Sequence, residues 1–172
     1  MIKVILVDEK DNEIGVEEKM KAHKEGKLHR AFSVLLFNKK GELLIQKRAK
    51  TKYHTPGLWS NTCCSHPGIS KDVFKEAAKR LKEELGIDYN PKKLKEIFRF
   101  IYKVKVGNLI ENEFNHVIFG KFSGNPKPNR MEVEDWKWIE MKKLKKDIKE
   151  NPKKYTPWFK LILDKLFKNV LP

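Results

Sequence analysis

Two glutamates flank a single asparagine at Glu111-Asn112-Glu113, inside a run that alternates like a β-strand. Because successive side chains of a strand point to opposite faces, the two acids share one face and Asn112 occupies the other. Like charges side by side repel each other, so a plain surface rarely holds such a pair. A cation between the carboxylates makes the arrangement favourable. This short motif therefore predicts a strand with a metal site on one face.

The ligands that would complete this site lie upstream in the sequence. Three imidazoles and two carboxylates form the candidate set: His23, His29, His66, Glu111 and Glu113. Nitrogen and oxygen donors in this number suit an octahedral divalent ion such as Mn²⁺, Mg²⁺ or Zn²⁺, with one position left open. A structural zinc knuckle is not expected, because it needs a second Cys/His pair at a defined spacing. We therefore interpret the chain as a metal-dependent enzyme.

Composition narrows the class of protein. We expect one domain, residues 1–172, of a size that buries a substantial core. The sequence holds no apolar run of about eighteen residues and no cleavage signal, so we expect no membrane partner and a cytoplasmic protein. Cys63 and Cys64 are the only cysteines and are adjacent, which excludes a disulfide framework in a monomer and fits a reducing compartment.

The net charge of +15 raises the affinity for polyanions in general. The basic residues are spread over predicted helices and loops without one arginine-rich tract, so a solvated lysine and glutamate surface explains most of them. We expect no specific nucleic-acid partner. The open alternative is a minor nucleic-acid-binding activity, which would show as steep salt-dependent binding to DNA or RNA.

Hydrophobic patterning predicts an α+β sandwich. The predicted strands are residues 1–7, 31–37, 42–48, 95–106, 113–122 and 133–139, and the second and third of them are expected to form a hairpin. The predicted helices are residues 71–85, 142–149 and 157–167. Ser70 is the expected N-cap of the first helix and Gly86 its C-cap. Residues 51–68 are expected to be loop, and residues 17–27 fit helix or loop equally.

Four segments together point to a known family. They are HRAFSVLLFN (residues 29–38), GLWSNTCCSHP (57–67), ELGI (84–87) and ENE (111–113). From about Lys19 to Trp158 the chain resembles type I isopentenyl-diphosphate isomerase. The resemblance implies a Nudix-like mixed β-sheet sandwich flanked by helices. It also implies the interconversion of isopentenyl and dimethylallyl diphosphate through a carbocation-like intermediate, a reaction of isoprenoid biosynthesis.

The main alternative is a Nudix-type diphosphohydrolase. The hydrolase motif reads G-x5-E-x7-R-E-U-x-E-E-x-G-U, where U is a bulky aliphatic residue. When its tail is placed on residues 83–87, the first glycine, the first glutamate and the Arg-Glu pair are replaced by Ser65, Lys71, Lys79 and Arg80. The carboxylate cluster of a hydrolase then cannot form in the usual way, which favours the isomerase.

The resemblance also implies roles for individual residues. The expected catalytic residues are Cys64, Glu113, Tyr102 and Trp158, with Glu113 and Tyr102 as acid, Cys64 as base and Trp158 stabilising the cation. The expected diphosphate-binding residues are Lys19, Arg48, Lys52 and Arg80. Mg²⁺ is expected on Glu84, apart from the ion of the His/Glu set. On the predicted helix, Arg80 and Glu84 could equally be an ordinary i,i+4 ion pair.

The expected partner is a small prenyl diphosphate, and the protein is expected to be a monomer or a weak homodimer.

The sequence assigns no role to two of the histidines. His54 lies in the predicted loop, and His116 lies on the strand face opposite Glu113.

Overall fold

The computed structural model of the protein describes residues 2–70 and 72–169. Its strands are β1 (Lys3–Val7), β2 (Glu13–Glu18), β3 (His29–Phe37), β4 (Leu43–Arg48), β5 (Trp59–Ser60), β6 (Cys63–Ser65), β7 (Lys95–Val106), β8 (Leu109–Lys121) and β9 (Val133–Ile139). Its α-helices are α1 (Lys19–Glu25), α2 (Val73–Leu85), α3 (Met141–Glu150) and α4 (Pro157–Asn169). The strands form one mixed, curled sheet, which confirms the predicted α+β class.

The centre of the sheet is a parallel pair. Strand β3 runs parallel to β8 along its whole length, from His29 opposite Glu113 to Phe37 opposite Lys121. Strand β6 pairs with β3 in the antiparallel sense, and β7 and β8 form a long antiparallel hairpin. Most side chains of β3 are buried, as expected for a strand covered on both faces.

Two expectations, one about strand pairing and one about a loop, need correction. The β3–β4 hairpin extends no further than Phe37 opposite Leu43, because β4 pairs instead with β9 and β5. The segment predicted as loop contains the short strands β5 and β6. Residues 17–27, which fitted helix or loop, complete β2 and form α1.

The start of α2 also differs from the prediction. The N-cap is Asp72 rather than Ser70, since Asp72 Oδ1 accepts a hydrogen bond from the Lys75 amide at 3.0 Å. Gly86 is the C-cap, as predicted, with a left-handed φ of 64°. Met1 and Lys71, which the predictions placed in the first strand and this helix, lie outside the described residues.

The core lies on both faces of the sheet. On one face Phe32, Val34 and Leu36 of β3 pack with Leu81 and Leu85 of α2. On the other face Leu35 packs with the apolar side of α4, including Phe159 and Ile162. This explains why the β3 sequence is apolar nearly throughout instead of alternating. None of the described helices is long and apolar enough to cross a membrane.

Candidate active site

Strand β8 carries both glutamates and sets them against neighbouring strands. Glu113 is the register partner of His29 in β3 and of Tyr102 in β7. Direct cross-strand partners are close enough for their side chains to touch. Glu111 and Glu113 are almost fully buried, with 2% and 6% of their surface exposed. The register of three strands therefore places an imidazole and a phenol on either side of one buried acid.

Asn112 points the other way, as the strand alternation predicts. Its Nδ2 donates to the Gly26 carbonyl at 2.9 Å. Gly26 ends α1 in the left-handed conformation, with φ 64°. This contact holds α1, which carries Lys19 and His23, against the strand of the two acids.

Backbone carbonyls orient two of the histidines. His23 Nδ1 donates to the Lys19 carbonyl at 2.7 Å, and His29 Nδ1 donates to the Lys27 carbonyl at 2.8 Å. With the proton on Nδ1, each neutral ring presents the lone pair of Nε2 to the site. A carbonyl in this position is the usual second contact of a metal-binding histidine.

The ligand atoms converge on one point. His23, His29, His66 and Glu113 each offer an atom within 4.8 Å of the others. His66 Nε2 lies 3.2 Å from His29 Nε2 and 3.1 Å from Glu113 Oε1.

Glu111 joins this group through His23. Its Oε2 lies 3.2 Å from His23 Nε2, yet neither His23 Nε2 nor Glu111 Oε1 completes a hydrogen bond with any described residue. Buried polar atoms left unpaired in this way are costly, and a bound cation removes the cost. All five predicted ligands are therefore brought together, and they fit a divalent metal ion.

The two acids differ in their affinity for a proton. Burial acts to raise the pKa of Glu111, but His23 and His54 outweigh it and lower that pKa. Burial and the charge of Glu111 raise the pKa of Glu113 to about 7, against the opposing effects of His29 and Tyr102. The Tyr102 hydroxyl donates to Glu113 Oε2 at 2.5 Å. Before metal binding, Glu111 is thus ionised while Glu113 exchanges a proton near neutral pH.

Cys64 of β6 lines the same pocket as Glu113 and Tyr102. Burial raises the pKa of its thiol to about 11, and Arg48 opposes the rise. Cys64 is therefore a neutral thiol at pH 7. Desolvation outweighs the opposing charges of Arg48 and Lys52, so the thiolate that the expected base role of Cys64 requires is disfavoured in this state.

The motif around Cys64 is fixed by buried polar side chains. Thr62 Oγ1 donates to the Leu44 carbonyl at 2.6 Å and accepts from the Leu36 amide at 2.9 Å. Asn61 Nδ2 donates to the Cys63 carbonyl at 2.7 Å. These bonds tie the segment to β3 and β4, and so they set the position of Cys64 and the following His66.

Trp158, from the first turn of α4, forms another part of the pocket wall and is buried. Its Nε1 donates to Ser60 Oγ at 3.1 Å. The Arg48 guanidinium carbon lies 5.4 Å from the centre of the indole ring. The indole is thus held by both a hydrogen bond and a cation at a fixed angle to the pocket.

The four predicted diphosphate-binding cations line this pocket although they come from separate segments. They are Lys19, Arg48, Lys52 and Arg80. Burial and the nearby Lys52 lower the pKa of Lys19, despite the attraction of Glu111 and Glu113. A cluster of cations that repel one another is stabilised by a multivalent anion.

Glu84 borders the cationic side of the pocket and is 4% exposed. Its carboxylate accepts from Arg80 NH2 at 2.6 Å and from Gln46 Nε2 at 2.9 Å. The Arg80–Glu84 pair is therefore an i,i+4 ion pair and also part of the pocket wall.

His54 lies at the site although the sequence predicts no role for it. Its Nε2 lies 3.0 Å from Glu111 Oε1, and its ring lies 5.5 Å from that of Trp158. Nothing in the local sequence predicts this, because His54 lies in a loop whose path is set by distant contacts. His116, in contrast, contacts Asp11 and Glu96 away from the site, as its strand face predicted.

Comparisons with known proteins identify the family of the chain. The NUDIX domain profile matches residues 27–159. "Isopentenyl-diphosphate Delta-isomerase 1" of Aromatoleum aromaticum is 50% identical over 164 residues, which cover 95% of this chain and 91% of that protein. The protein named isopentenyl-diphosphate Delta-isomerase in Serratia proteamaculans is 41% identical, with 96% and 92% covered.

Solved structures show the same fold at low sequence identity. A crystal structure from Deinococcus radiodurans has a TM-score of 0.74 at 16% identity and covers 93% of this chain and 96% of its own. The MutT protein of Methanosarcina mazei has a TM-score of 0.66 at 15% identity, with 82% and 94% covered. From its profile match and its curated relatives, the chain belongs to the Nudix domain family and, within it, to the isopentenyl-diphosphate Delta-isomerases.

Proposed function

We propose that residues 1–172 form one domain that interconverts isopentenyl and dimethylallyl diphosphate in isoprenoid biosynthesis. One observation carries the proposal. The hydrogen-bonded pair Glu113–Tyr102 and the Cys64 thiol share a pocket that is ringed by cations and walled by Trp158. Double-bond migration requires one group that adds a proton and another that removes one, and it requires no water that would capture the cation.

Two ions are part of the proposal. His23, His29, His66, Glu111 and Glu113 would hold a Mn²⁺, Mg²⁺ or Zn²⁺ ion, and Glu84 would share Mg²⁺ with the diphosphate. When bound, these ions supply positive charge that fixes the Glu113 carboxylate and neutralises phosphate oxygens.

The cationic side chains orient the substrate. Lys19, Arg48, Lys52 and Arg80 bind the diphosphate oxygens by charge-assisted hydrogen bonds. The hydrocarbon end then extends toward Glu113 and Cys64. The face of Trp158 stabilises the positive charge that develops on the substituted carbon.

The proton chemistry uses two groups on opposite sides of the alkene. One group adds its proton to the terminal methylene, and the other takes a proton from the allylic carbon. Because the reaction is reversible, Glu113 and Cys64 exchange these roles between the two directions. The Tyr102 hydroxyl on Glu113 Oε2 relays the proton that restores the pair after turnover.

A hydrolase is the weaker candidate. The positions that carry the first glutamate and the Arg-Glu pair of the hydrolase motif are Lys71, Lys79 and Arg80 in this chain. Substitution of acids by cations removes ligands for the metal cluster that activates water.

We also propose a cytoplasmic location and a monomer or weak homodimer, and the free thiols of Cys63 and Cys64 support the location.

Nuclear magnetic resonance tests the proposal directly. Purified protein is incubated with isopentenyl diphosphate and Mg²⁺, with a parallel sample containing excess EDTA. The expected result is the loss of the terminal methylene proton signal and the growth of two methyl signals, without free phosphate in the phosphorus spectrum. The EDTA sample stays unchanged. Release of phosphate or of a monophosphate without rearrangement would contradict the proposal.

A further inference from the structure

His54 has no role in the proposed reaction, yet its side chain extends from a loop to the candidate metal-binding glutamates. Its Nε2 lies 3.0 Å from Glu111 Oε1, while His23 approaches the other oxygen, Oε2, at 3.2 Å. Each carboxylate oxygen of Glu111 therefore has one imidazole nitrogen close to it. The side chain of His54 is 12% exposed, so most of the ring is removed from water.

The ring of His54 is fixed by its neighbours. Its centre lies 4.2 Å from that of Tyr53 and 5.5 Å from that of Trp158. Its carbonyl accepts a hydrogen bond from Arg48 NH2 at 3.2 Å. Two predicted substrate-pocket residues, Arg48 and Trp158, thus contact His54 directly.

The backbone beside His54 is strained. Thr55 has a left-handed φ of 47°, which is unusual for a β-branched residue, and its Oγ1 is buried without a hydrogen-bond partner among the described residues. Strain of this kind persists only where surrounding contacts impose it. Here the strained residue directly follows the imidazole that reaches Glu111.

We propose that His54 is a positioning residue that acts through Glu111. Its Nε2 lies 3.0 Å from Oε1 without a completed hydrogen bond, and it donates to this oxygen when the carboxylate takes the orientation needed to bind the ion of the His/Glu set. The two oxygens of a carboxylate can rotate, and His23 alone contacts just one of them. With His54 on the other oxygen, the rotation is restricted. Contacts of this kind to ligating side chains typically affect metal affinity about 10- to 100-fold when removed.

A purely structural role makes a different prediction. If His54 only fills space between Tyr53 and Trp158, any ring of similar size preserves function. His54→Phe keeps a ring and removes the N–H group, whereas His54→Gln keeps an N–H donor of similar reach and removes the ring. The two variants therefore separate donation to Glu111 from packing.

The test measures binding of Mn²⁺ alone, and separately of Zn²⁺ alone, to metal-stripped protein. Turnover of isopentenyl diphosphate is measured in parallel, and circular dichroism establishes that each variant is folded. His116→Phe is the matched control, because His116 also contacts carboxylates but lies outside the site. If His54→Phe does not fold, His54→Leu, which also lacks the donor, replaces it.

We expect His54→Phe to bind metal about 10-fold or more weakly, with a lower kcat and little change in KM. His54→Gln is expected to stay within about threefold of the unaltered protein, since it restores the donor. Unchanged metal affinity in His54→Phe would overturn the inference, and so would equal losses in both variants. The inference rests on the proposed isomerase for its kinetic part alone. If the unaltered protein does not isomerise isopentenyl diphosphate, the proposed function is wrong. The metal-binding measurement then still tests whether His54 positions Glu111.

Discussion

At the scale of single residues, the site depends on which atoms face each other across β8. Glu113 has Tyr102 on one side and His29 on the other because of strand register. The sequence alone predicted five candidate metal ligands from their donor chemistry and from the alternation at residues 111–113, and the structure brings these side chains together. It did not predict His54, because no local pattern links a loop histidine to a glutamate on a distant strand.

Cys64→Ser tests the thiol. We expect turnover to fall about 100- to 10,000-fold, the range that a positioned acid or base contributes, while Mn²⁺ binding survives. Steady-state kinetics and metal titration measure the two effects. Cys63→Ala is the matched control, since Cys63 is fully buried in the core next to it and we expect most of the activity to remain. An active serine variant would remove Cys64 from the chemistry.

Tyr102→Phe tests the hydroxyl on Glu113. The variant keeps the ring and loses the donor at 2.5 Å from Oε2, so we expect kcat to fall about 100-fold with KM nearly constant. Tyr89→Phe, whose hydroxyl bonds Lys121 outside the site, serves as the control with unchanged kcat. If both variants retain full kcat, Tyr102 relays no proton.

At the scale of elements, α2, α3, α4 and most strands follow from local patterning, whereas α1 fitted helix or loop equally. The pairing of strands that are far apart in the sequence does not follow from local patterning. The periodicity of residues 95–106 and 133–139 predicts strands that the structure contains with the same bounds. The parallel contact of β3 with β8 joins segments about eighty residues apart, so no turn signal reveals it. Asn61 and Thr62 likewise hold β6 through bonds to other strands, which made this segment look like loop.

The end of α2 connects the fold to the site, because Glu84 lies two residues before its C-cap. The loop that follows β8 closes over this end: the Lys127 amide donates to the Leu85 carbonyl at 2.7 Å, and the Asn129 amide donates to the Glu84 carbonyl at 2.9 Å. A Cβ on Gly86 would lie 2.6 Å from the Lys127 carbonyl oxygen. Gly86 is thus required both for its φ and for the close approach of this loop.

Gly86→Ala therefore lowers the free energy of unfolding by more than about 2 kcal/mol, because the clash adds to the left-handed conformation. Gly41→Ala is the matched control: its φ is 77° but no atom lies within 4 Å of the added Cβ, so we expect about 1 kcal/mol. Urea denaturation measures both. If both variants lose the same free energy of unfolding, the loop that contains Lys127 moves away from the added Cβ at no energetic cost.

At the scale of the whole molecule, charge and architecture act together. The net charge of +15 attracts anions to the surface, and the pocket concentrates four of the cations. The hydrolase motif of the Nudix fold carries glutamates at the positions where this chain has Lys71 and Arg80. The shared fold therefore does not determine which reaction is catalysed. The side chains that line the pocket determine it.

Salt tests the electrostatic part of substrate binding. Raising the NaCl concentration from about 0.1 M to about 1 M shortens the screening length from about 10 Å to about 3 Å. We expect KM to rise several-fold and kcat to stay constant, with a weaker salt effect in Lys52→Gln. Lys142→Gln, an exposed change on α3, is the control and keeps the full effect. A KM that does not change with salt concentration would contradict the proposal that these cations bind the diphosphate.

The most direct measurement is the isomerisation of isopentenyl diphosphate in heavy water by the metal-loaded protein. If separate groups add and remove protons on opposite sides of the alkene, each turnover places one deuterium from solvent on the former methylene carbon, and the diphosphate stays intact. Mass spectrometry and proton NMR of the dimethylallyl product measure this. Product without deuterium would mean that one group carries the same proton across, and the two-sided site described here would be wrong.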